Sequence, residues 1–133
     1  MIKLIVGRKG SGKTKQLIEQ MTTVAKKDHG SVVCVEKGLK LTFDIPHSIR
    51  LVDVESFAIE GYEAFYGFVA GILAGNYDIT DVFIDSILKI GNADLEALGV
   101  FLDKVNALNT DANITLTVSA DASELPESVK KYM

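Results

Sequence analysis

Eight residues near the start of the chain have the types and spacing needed to bind a polyphosphate. The stretch Gly7–Thr14 reads Gly-Arg-Lys-Gly-Ser-Gly-Lys-Thr and matches the pattern G-x-x-x-x-G-K-[ST] at every position. Glycines let such a loop wrap closely around phosphates, with its N–H groups turned inward. Lys13 would reach the β- and γ-phosphates, and Thr14 would bind Mg²⁺ through its hydroxyl. The sequence therefore predicts a Mg²⁺–nucleotide site, against the alternative of a glycine-rich turn that binds nothing.

The residues of this loop are predicted to bind the nucleotide, and one of them is also a candidate for catalysis. The nucleotide-binding residues are Gly7, Arg8, Lys9, Gly10, Ser11, Gly12, Lys13 and Thr14. Lys13 is also a candidate catalytic residue, because its charge would lie against the phosphates that react. Arg8 and Lys9 could lean over the phosphates, or they could be ordinary solvated loop residues.

A carboxylate that could bind the metal follows a short apolar stretch in the middle of the chain. Asp85 comes directly after Val82-Phe83-Ile84, which reads as a buried strand. In phosphate-loop enzymes an Asp at the end of such a strand helps to hold the magnesium ion. The alternative is an Asp that starts a turn or caps the next segment. Thr14 and Asp85 are therefore the predicted metal ligands.

Strands and helices alternate along the chain. Strands are predicted at Ile2–Val6, Ser31–Glu36, Ile49–Val54, Val82–Asp85 and Ile114–Ser119, with Leu39, Leu41 and Phe43 alternating as a short strand would. A helix is predicted from the loop to an end near Lys26–Gly30, with lysines in its last turn and Gly30 as its stop. Further helices are predicted from Phe57 to Ala74 and after an N-cap at Asn92. This alternation predicts an α/β fold, namely a three-layer α/β/α sandwich with a mostly parallel five-stranded sheet. Residues 1–133 are expected to form a single domain.

Ligands of parallel sheets bind beyond the carboxyl ends of the strands. The groups expected at that rim, besides the loop and Asp85, are Glu36, Lys37, Glu55, Ser86 and Ser119–Asp121.

The loop and the acidic strand together resemble the P-loop NTPase superfamily, and more narrowly its RecA-like branch, which has an extra strand between the two motif strands. The layout from Ile2 to about Asp121 is similar to that of type II thymidine kinases, without their zinc cysteines or nucleoside-gripping lasso. The chain also resembles small, uncharacterised bacterial ATP-binding proteins. The resemblance implies ATP, or another NTP, with Mg²⁺ as the ligands.

The chain departs from RecA-like hydrolases at one position. Those enzymes usually follow the metal-binding Asp with a Glu that activates water, and here that position is Ser86. Some secretion and pilus-retraction ATPases use a carboxylate near the second strand instead, so the resemblance makes Glu36 a candidate catalytic base. The alternative for Glu36 is a solvated rim carboxylate. Ser119 stands where related ATPases sense the γ-phosphate, and it could equally be a plain strand-end serine.

Three functions follow from these residues. The first is a slow or partner-activated NTPase, in which a residue of a second copy or protein partner, or Glu36, completes the catalytic site. The second is a nucleotide-sensing module that does not hydrolyse its ligand. A small phosphotransferase ranks last, because the chain has little material for an acceptor pocket. No Asn-Lys-x-Asp guanine-reading motif is present, which favours adenine or weak base selectivity.

Composition excludes several other classes. The net charge is −4 and the basic residues are scattered, which argues against a broad nucleic-acid surface. The single Cys34 cannot form an internal disulfide and is predicted to be a buried thiol. The most apolar stretch, Ala64–Gly75, is too short to span a bilayer, and the first strand begins at the N-terminus without a signal peptide. A cytoplasmic protein is expected.

One pattern in the second predicted helix has two interpretations. Gly67, Gly71 and Gly75 recur at every fourth position. They could let the helix lie close against the sheet, which we favour, or they could form a surface between copies of the chain.

Overall fold

Five short strands, rich in β-branched and aliphatic residues, form one sheet in the computed structural model, which describes residues 1–38, 40–41 and 44–133. The strands are β1 (Ile2–Gly7), β2 (Ser31–Glu36), β3 (Arg50–Asp53), β4 (Ile79–Ile84) and β5 (Asn113–Ser119). Every pairing is parallel and the order is β1-β5-β4-β2-β3. The predicted α/β class is confirmed. The strand considered over Leu39, Leu41 and Phe43 lies outside the described residues at Leu39 and Phe43.

Helices cover both faces of this sheet. They are α1 (Lys13–Lys27), α2 (Tyr62–Gly75), α3 (Ile87–Ile90), α4 (Leu95–Asn106) and α5 (Glu127–Lys130), with 3₁₀ turns at Val54–Phe57 and Ala122–Glu124. On one face, α1 buries Leu17 and Met21 against Ile5, Cys34 and Phe83. The larger core on the other face includes buried residues from α2, α3, α4 and α5. The three-layer sandwich is therefore confirmed.

Because all five strands are parallel, their carboxyl ends lie along one edge of the sheet. The register places Gly7 beside Ser119, Val35 beside Ile84 and Glu36 beside Asp53. Strand β5 lies between β1 and β4, so one strand separates the glycine-rich loop from Asp85. This is the extra strand that the resemblance to the RecA-like branch implied between the two motifs.

The first helix ends at Lys27, within the predicted range Lys26–Gly30 and with lysines in its last turn, but the residue that stops it is not the predicted one. Its C-cap is Asp28, which has a φ of +49° and donates its N–H to the Ala25 carbonyl. Asp tolerates this left-handed conformation better than most residues, so the helix stops there without glycine. The prediction that Gly30 is the stop is wrong. Gly30 is instead needed where the chain passes Asp78, since an added Cβ would lie 2.6 Å from the Asp78 carbonyl oxygen.

The predicted cap of α4 is also displaced. Asp94, rather than Asn92, is its N-cap and accepts hydrogen bonds from the N–H groups of Glu96 and Ala97. Asn92 stabilises the turn before the helix, because its side-chain oxygen accepts a hydrogen bond from the Asp94 N–H at 2.9 Å. Asn and Asp side chains compete for the same turn geometry, so the pattern alone did not separate them.

The third strand and the second helix are shorter than predicted. Strand β3 ends at Asp53, whose carboxylate accepts N–H bonds from Gly38 and Glu55. That cap turns the chain into a 3₁₀ turn, so Glu55 does not end the strand and is exposed. Helix α2 then begins at Tyr62 instead of Phe57.

The glycine row of α2 faces outward. Gly67, Gly71 and Gly75 are exposed, and a Cβ added at any of them would meet nothing within 4 Å. The favoured prediction, that they allow close packing inside the domain, is therefore wrong. The alternative of a surface between copies of the chain stays a prediction. Among the helices of the described ranges, none is long and apolar enough to cross a membrane.

Candidate functional site

The glycine-rich loop (Gly7–Thr14) joins the end of β1 to the start of α1. Gly10 and Gly12 have φ angles of +84° and +89°, which side chains rarely adopt. An added Cβ at Gly7 would collide with the side chain of Ser11. Gly12 is the N-cap of α1 and offers no side chain to the first turn, whose N–H groups lack partners within the helix. The loop thus presents backbone donors and a helix N-terminus to the same space.

Two basic side chains of the loop, Lys13 and Arg8, bind different partners within the chain. Lys13 is buried, and its Nζ donates to the Arg8 carbonyl oxygen at 2.9 Å. The Arg8 guanidinium instead pairs with Asp121, with contacts of 2.9 and 2.6 Å to Oδ2. Hydrogen bonds from Ser123 and the Arg8 charge lower the pKa of Asp121 to about 2. This ion pair ties the loop to the segment after β5, and Arg8 is directed at a carboxylate rather than over the loop.

Asp85 is buried directly after β4 and is held by two threonines. The Thr117 hydroxyl donates to Asp85 Oδ1 at 2.7 Å and accepts the Ser86 N–H at 2.6 Å. The Thr14 hydroxyl approaches the two carboxylate oxygens of Asp85 at 3.3 and 3.4 Å. Ser86 has a φ of +60°, so the chain turns sharply out of the sheet at this point. These contacts link α1, β4 and β5 around one carboxylate.

The donor set suits Mg²⁺. Thr14 and Asp85 supply a hydroxyl and a carboxylate, which are hard oxygen ligands. No group of three or more His, Cys, Asp and Glu side chains that could hold a metal occurs among the described residues. Mg²⁺ typically needs only one or two carboxylates when phosphates complete its shell, whereas an all-protein metal cage would need more. The predicted pair therefore fits magnesium held jointly with a phosphate ligand.

Glu36 lies at the end of β2, next to the strand that carries Asp85. It is only 2% exposed, so the alternative of a solvated rim carboxylate is wrong. Its Oε2 accepts the Leu41 N–H at 2.9 Å. Burial, and to a lesser extent the charge of Asp85, raise the pKa of Glu36. Burial with these same two carboxylates raises the pKa of Cys34 to about 12, as expected for the predicted core thiol. A raised pKa is what a carboxylate base near neutral pH requires.

The raised pKa of Glu36 predicts a pH-dependent stability. The folded state binds this proton more tightly than the unfolded chain, so stability is present in acid and lost as pH rises from the ordinary pKa of 4.5 through the folded value. Glu36→Gln cannot ionise and keeps an oxygen for the Leu41 N–H. Urea unfolding at several pH values between about 4 and 8 should show that this part of the pH dependence is missing from the variant.

The exposed Glu55→Gln change is the matched control for that experiment, because Glu55 is a carboxylate near the same sheet edge. Its unfolding profile should follow wild type at every pH. A Glu36→Gln profile that also follows wild type would mean that burial of Glu36 does not alter its protonation.

Two further residues of the predicted site, Ser119 and Lys9, are exposed. Ser119 is exposed at the end of β5, in register with Gly7, and shares a strand face with Thr117 by alternation. Lys9 is exposed in the loop. His29, His47 and Arg50 are exposed, as the sequence predicted for residues outside the site.

Comparison with known proteins finds similarity in structure but not in sequence. The sequence matches no protein-family model and no curated protein. The structure is similar to that of the flagellar accessory protein FlaH from Methanocaldococcus jannaschii, with a TM-score of 0.58 and 20% sequence identity. The match covers 98% of this chain and 65% of FlaH, so the chain spans less than two thirds of the length of that protein. The chain has a RecA-like fold. The narrower resemblances, to type II thymidine kinases and small bacterial ATP-binding proteins, stay predictions.

Sequence reasoning missed Thr117. Threonine is common in buried strands, and its partners on β4 follow from strand order rather than from local pattern. A usable signal was present, however. Thr115, Thr117 and Ser119 alternate along β5, which places three hydroxyls on one face of a strand whose other face is apolar. The two threonines of this set are buried.

Proposed function

We propose that this chain binds ATP, or another nucleoside triphosphate, together with Mg²⁺. The glycine-rich loop holds the phosphates through its backbone N–H groups and Lys13. Thr14 and Asp85 hold the metal, which would neutralise charge on the phosphates. The single observation that carries this proposal is the junction of the loop, the open start of α1 and the Asp85 carboxylate, within contact distance of Thr14.

We propose further that any hydrolysis is slow or needs a partner. No carboxylate follows Asp85, since Ser86 occupies that position and a serine hydroxyl is a poor base near neutral pH. Glu36 is the carboxylate best placed to act instead, because it is buried beside Asp85 with a raised pKa. Its role would be to take a proton from the attacking water. Ser119, at the end of the neighbouring strand, would contact the γ-phosphate.

A second candidate is a nucleotide-sensing module that holds ATP without turnover. It is favoured by the engagement of Glu36 with the loop that follows β2, since its Oε2 accepts the Leu41 N–H. A carboxylate that orders a backbone segment can serve as a structural support rather than as a base. In that case nucleotide binding would change the surface that the chain presents to a partner.

Phosphate release from Mg·ATP separates the two candidates. The purified chain is assayed over a range of concentrations, and then with cell extract, with the Lys13→Ala background subtracted each time. Slow release that disappears in Glu36→Gln supports the ATPase with Glu36 as base. A rate per chain that rises with concentration identifies a second copy as the activating partner. If release never exceeds the Lys13→Ala background while ATP binds, the chain is the sensing module.

A further inference from the structure

The hydroxyl of Thr117 joins two groups at the point where β4 leaves the sheet. It accepts the Ser86 N–H at 2.6 Å and lies 2.7 Å from Asp85 Oδ1. A backbone N–H can only donate, so the hydroxyl oxygen is the acceptor of the first bond, and its single proton is left for the carboxylate. The chain of hydrogen bonds therefore runs in one direction, from the Ser86 N–H through Thr117 to Asp85.

Asp85 is held from both strands that flank β4. Its N–H donates to the Val35 carbonyl of β2 at 2.9 Å, and Thr117 holds its carboxylate from β5. The next residue, Ser86, has a φ of +60°, which residues other than glycine rarely adopt. Because Thr117 binds the Ser86 N–H, the same hydroxyl holds this turn and the carboxylate before it.

The other hydroxyl at this carboxylate belongs to Thr14 and makes weaker contacts. Thr14 and Thr117 are the residues in the described ranges that hydrogen-bond the Asp85 carboxylate. The Thr14 distances are 3.3 and 3.4 Å, whereas O–H···O bonds are typically about 2.5–3.0 Å long. Thr14 is also a predicted metal ligand, while Thr117 is only 1% exposed and makes both of its bonds inside the domain. Thr117 is therefore the stronger support of the carboxylate.

We propose that Thr117 is a positioning residue for the Mg²⁺ that accompanies the nucleotide, and that it acts through Asp85. This deepens the proposed function and rests on it. Thr117 engages Oδ1 and fixes the carboxylate, so that Oδ2 remains for the metal. Buried partners that hold a metal-binding side chain set its orientation, and the affinity for the metal depends on them. Loss of the Thr117 hydroxyl should therefore weaken the contribution of Mg²⁺ to nucleotide binding and leave the hold of the glycine-rich loop on the phosphates.

The test measures ATP affinity by calorimetric titration, with Mg²⁺ and with a chelator, in wild type, Thr117→Val and Thr117→Ser. The ratio of the two affinities is the Mg²⁺ advantage. Thr117→Val should lose about tenfold of that advantage, while its affinity in chelator changes less than about twofold. Thr117→Ser keeps the hydroxyl and should keep the advantage. A purely structural loss would lower both affinities together.

Thr115→Val is the matched control. Thr115 is a buried threonine two residues earlier on the same face of β5, in register with Lys3 and Phe83 rather than beside Asp85. This variant should keep the wild-type Mg²⁺ advantage. Circular dichroism at the titration temperature shows which variants are folded. If Thr117→Val is unfolded, Thr117→Cys takes its place, because a thiol fills the position but donates only weakly, and it should lose part of the advantage.

A full Mg²⁺ advantage in folded Thr117→Val, or in Thr117→Cys where that variant replaces it, would overturn the positioning role. Equal losses with Mg²⁺ and with chelator would also overturn it, and both results would leave nucleotide binding intact. If wild type binds no ATP under either condition, the proposed function fails and the role of Thr117 fails with it.

Discussion

Thr117→Val is expected to lower the free energy of unfolding by about 3 kcal/mol, although valine nearly matches threonine in shape. The hydroxyl of Thr117 is buried and makes both a charged and a backbone hydrogen bond. Its loss leaves a carboxylate oxygen of Asp85 and the Ser86 N–H short of a partner away from water. A buried polar group that loses its hydrogen-bond partner destabilises the folded state by its full desolvation free energy.

Thr117→Ser is the matched control, because it keeps the hydroxyl and removes only a methyl group. It should cost about 1 kcal/mol, close to the value of one buried methyl group. Urea unfolding followed by far-ultraviolet circular dichroism measures both variants. The nucleotide-free protein is used, so the result does not depend on ligand binding. Equal stability of Thr117→Val and wild type would show that Thr117 does not support Asp85.

Asp85→Asn is expected to remove most of the effect of Mg²⁺ on ATP affinity. The amide keeps an oxygen that can accept from Thr117, so the fold should survive, but it loses the charge that attracts a divalent cation. Affinity for ATP is measured with Mg²⁺ and with a chelator. Wild type should bind more tightly with the metal, and the variant should lose about tenfold of that advantage.

The control for this experiment is Asp81→Asn, on the same strand. Asp81 lies near the opposite end of β4 and pairs in register with Asn113, far from the carboxyl edge. It should respond to Mg²⁺ as wild type does. A normal Mg²⁺ response in Asp85→Asn would remove Asp85 from the metal site.

The parts of the fold that local chemistry determines were predictable. Strand β2 was predicted with its observed bounds, because its uninterrupted apolar run is typical of a strand buried on both faces. The glycine-rich loop followed from its glycines, two of which have left-handed φ angles. Asp85 was found because a carboxylate after a buried strand is a strong signal once such a loop is present.

The wrong predictions of helix and strand ends arose where several neighbouring residues could each end or cap the element. Asp28 ended α1 before Gly30 could, Asp94 capped α4 in place of Asn92, and Asp53 ended β3 ahead of Glu55. In each case an Asp side chain or its left-handed backbone decided a boundary that periodicity leaves open by a few residues.

Contacts between segments that are distant in the sequence could not be predicted from local sequence patterns. The partners of Thr117 and the burial of Glu36 both depend on which strands are neighbours. The outward direction of the α2 glycines depends on which face of the helix meets the core, and their spacing alone does not reveal it.

Thermal unfolding with Mg·ATP, with Mg·GTP and without nucleotide, on wild type and Lys13→Ala, tests the central claim most directly. A ligand present at about 100 times its dissociation constant stabilises the folded state by roughly 2.7 kcal/mol, which raises the midpoint by on the order of ten degrees here. We predict such a shift for wild type with Mg·ATP and its loss in Lys13→Ala. Unfolding of wild type at the same temperature with and without either nucleotide would contradict the assignment of a nucleotide site to Gly7–Thr14.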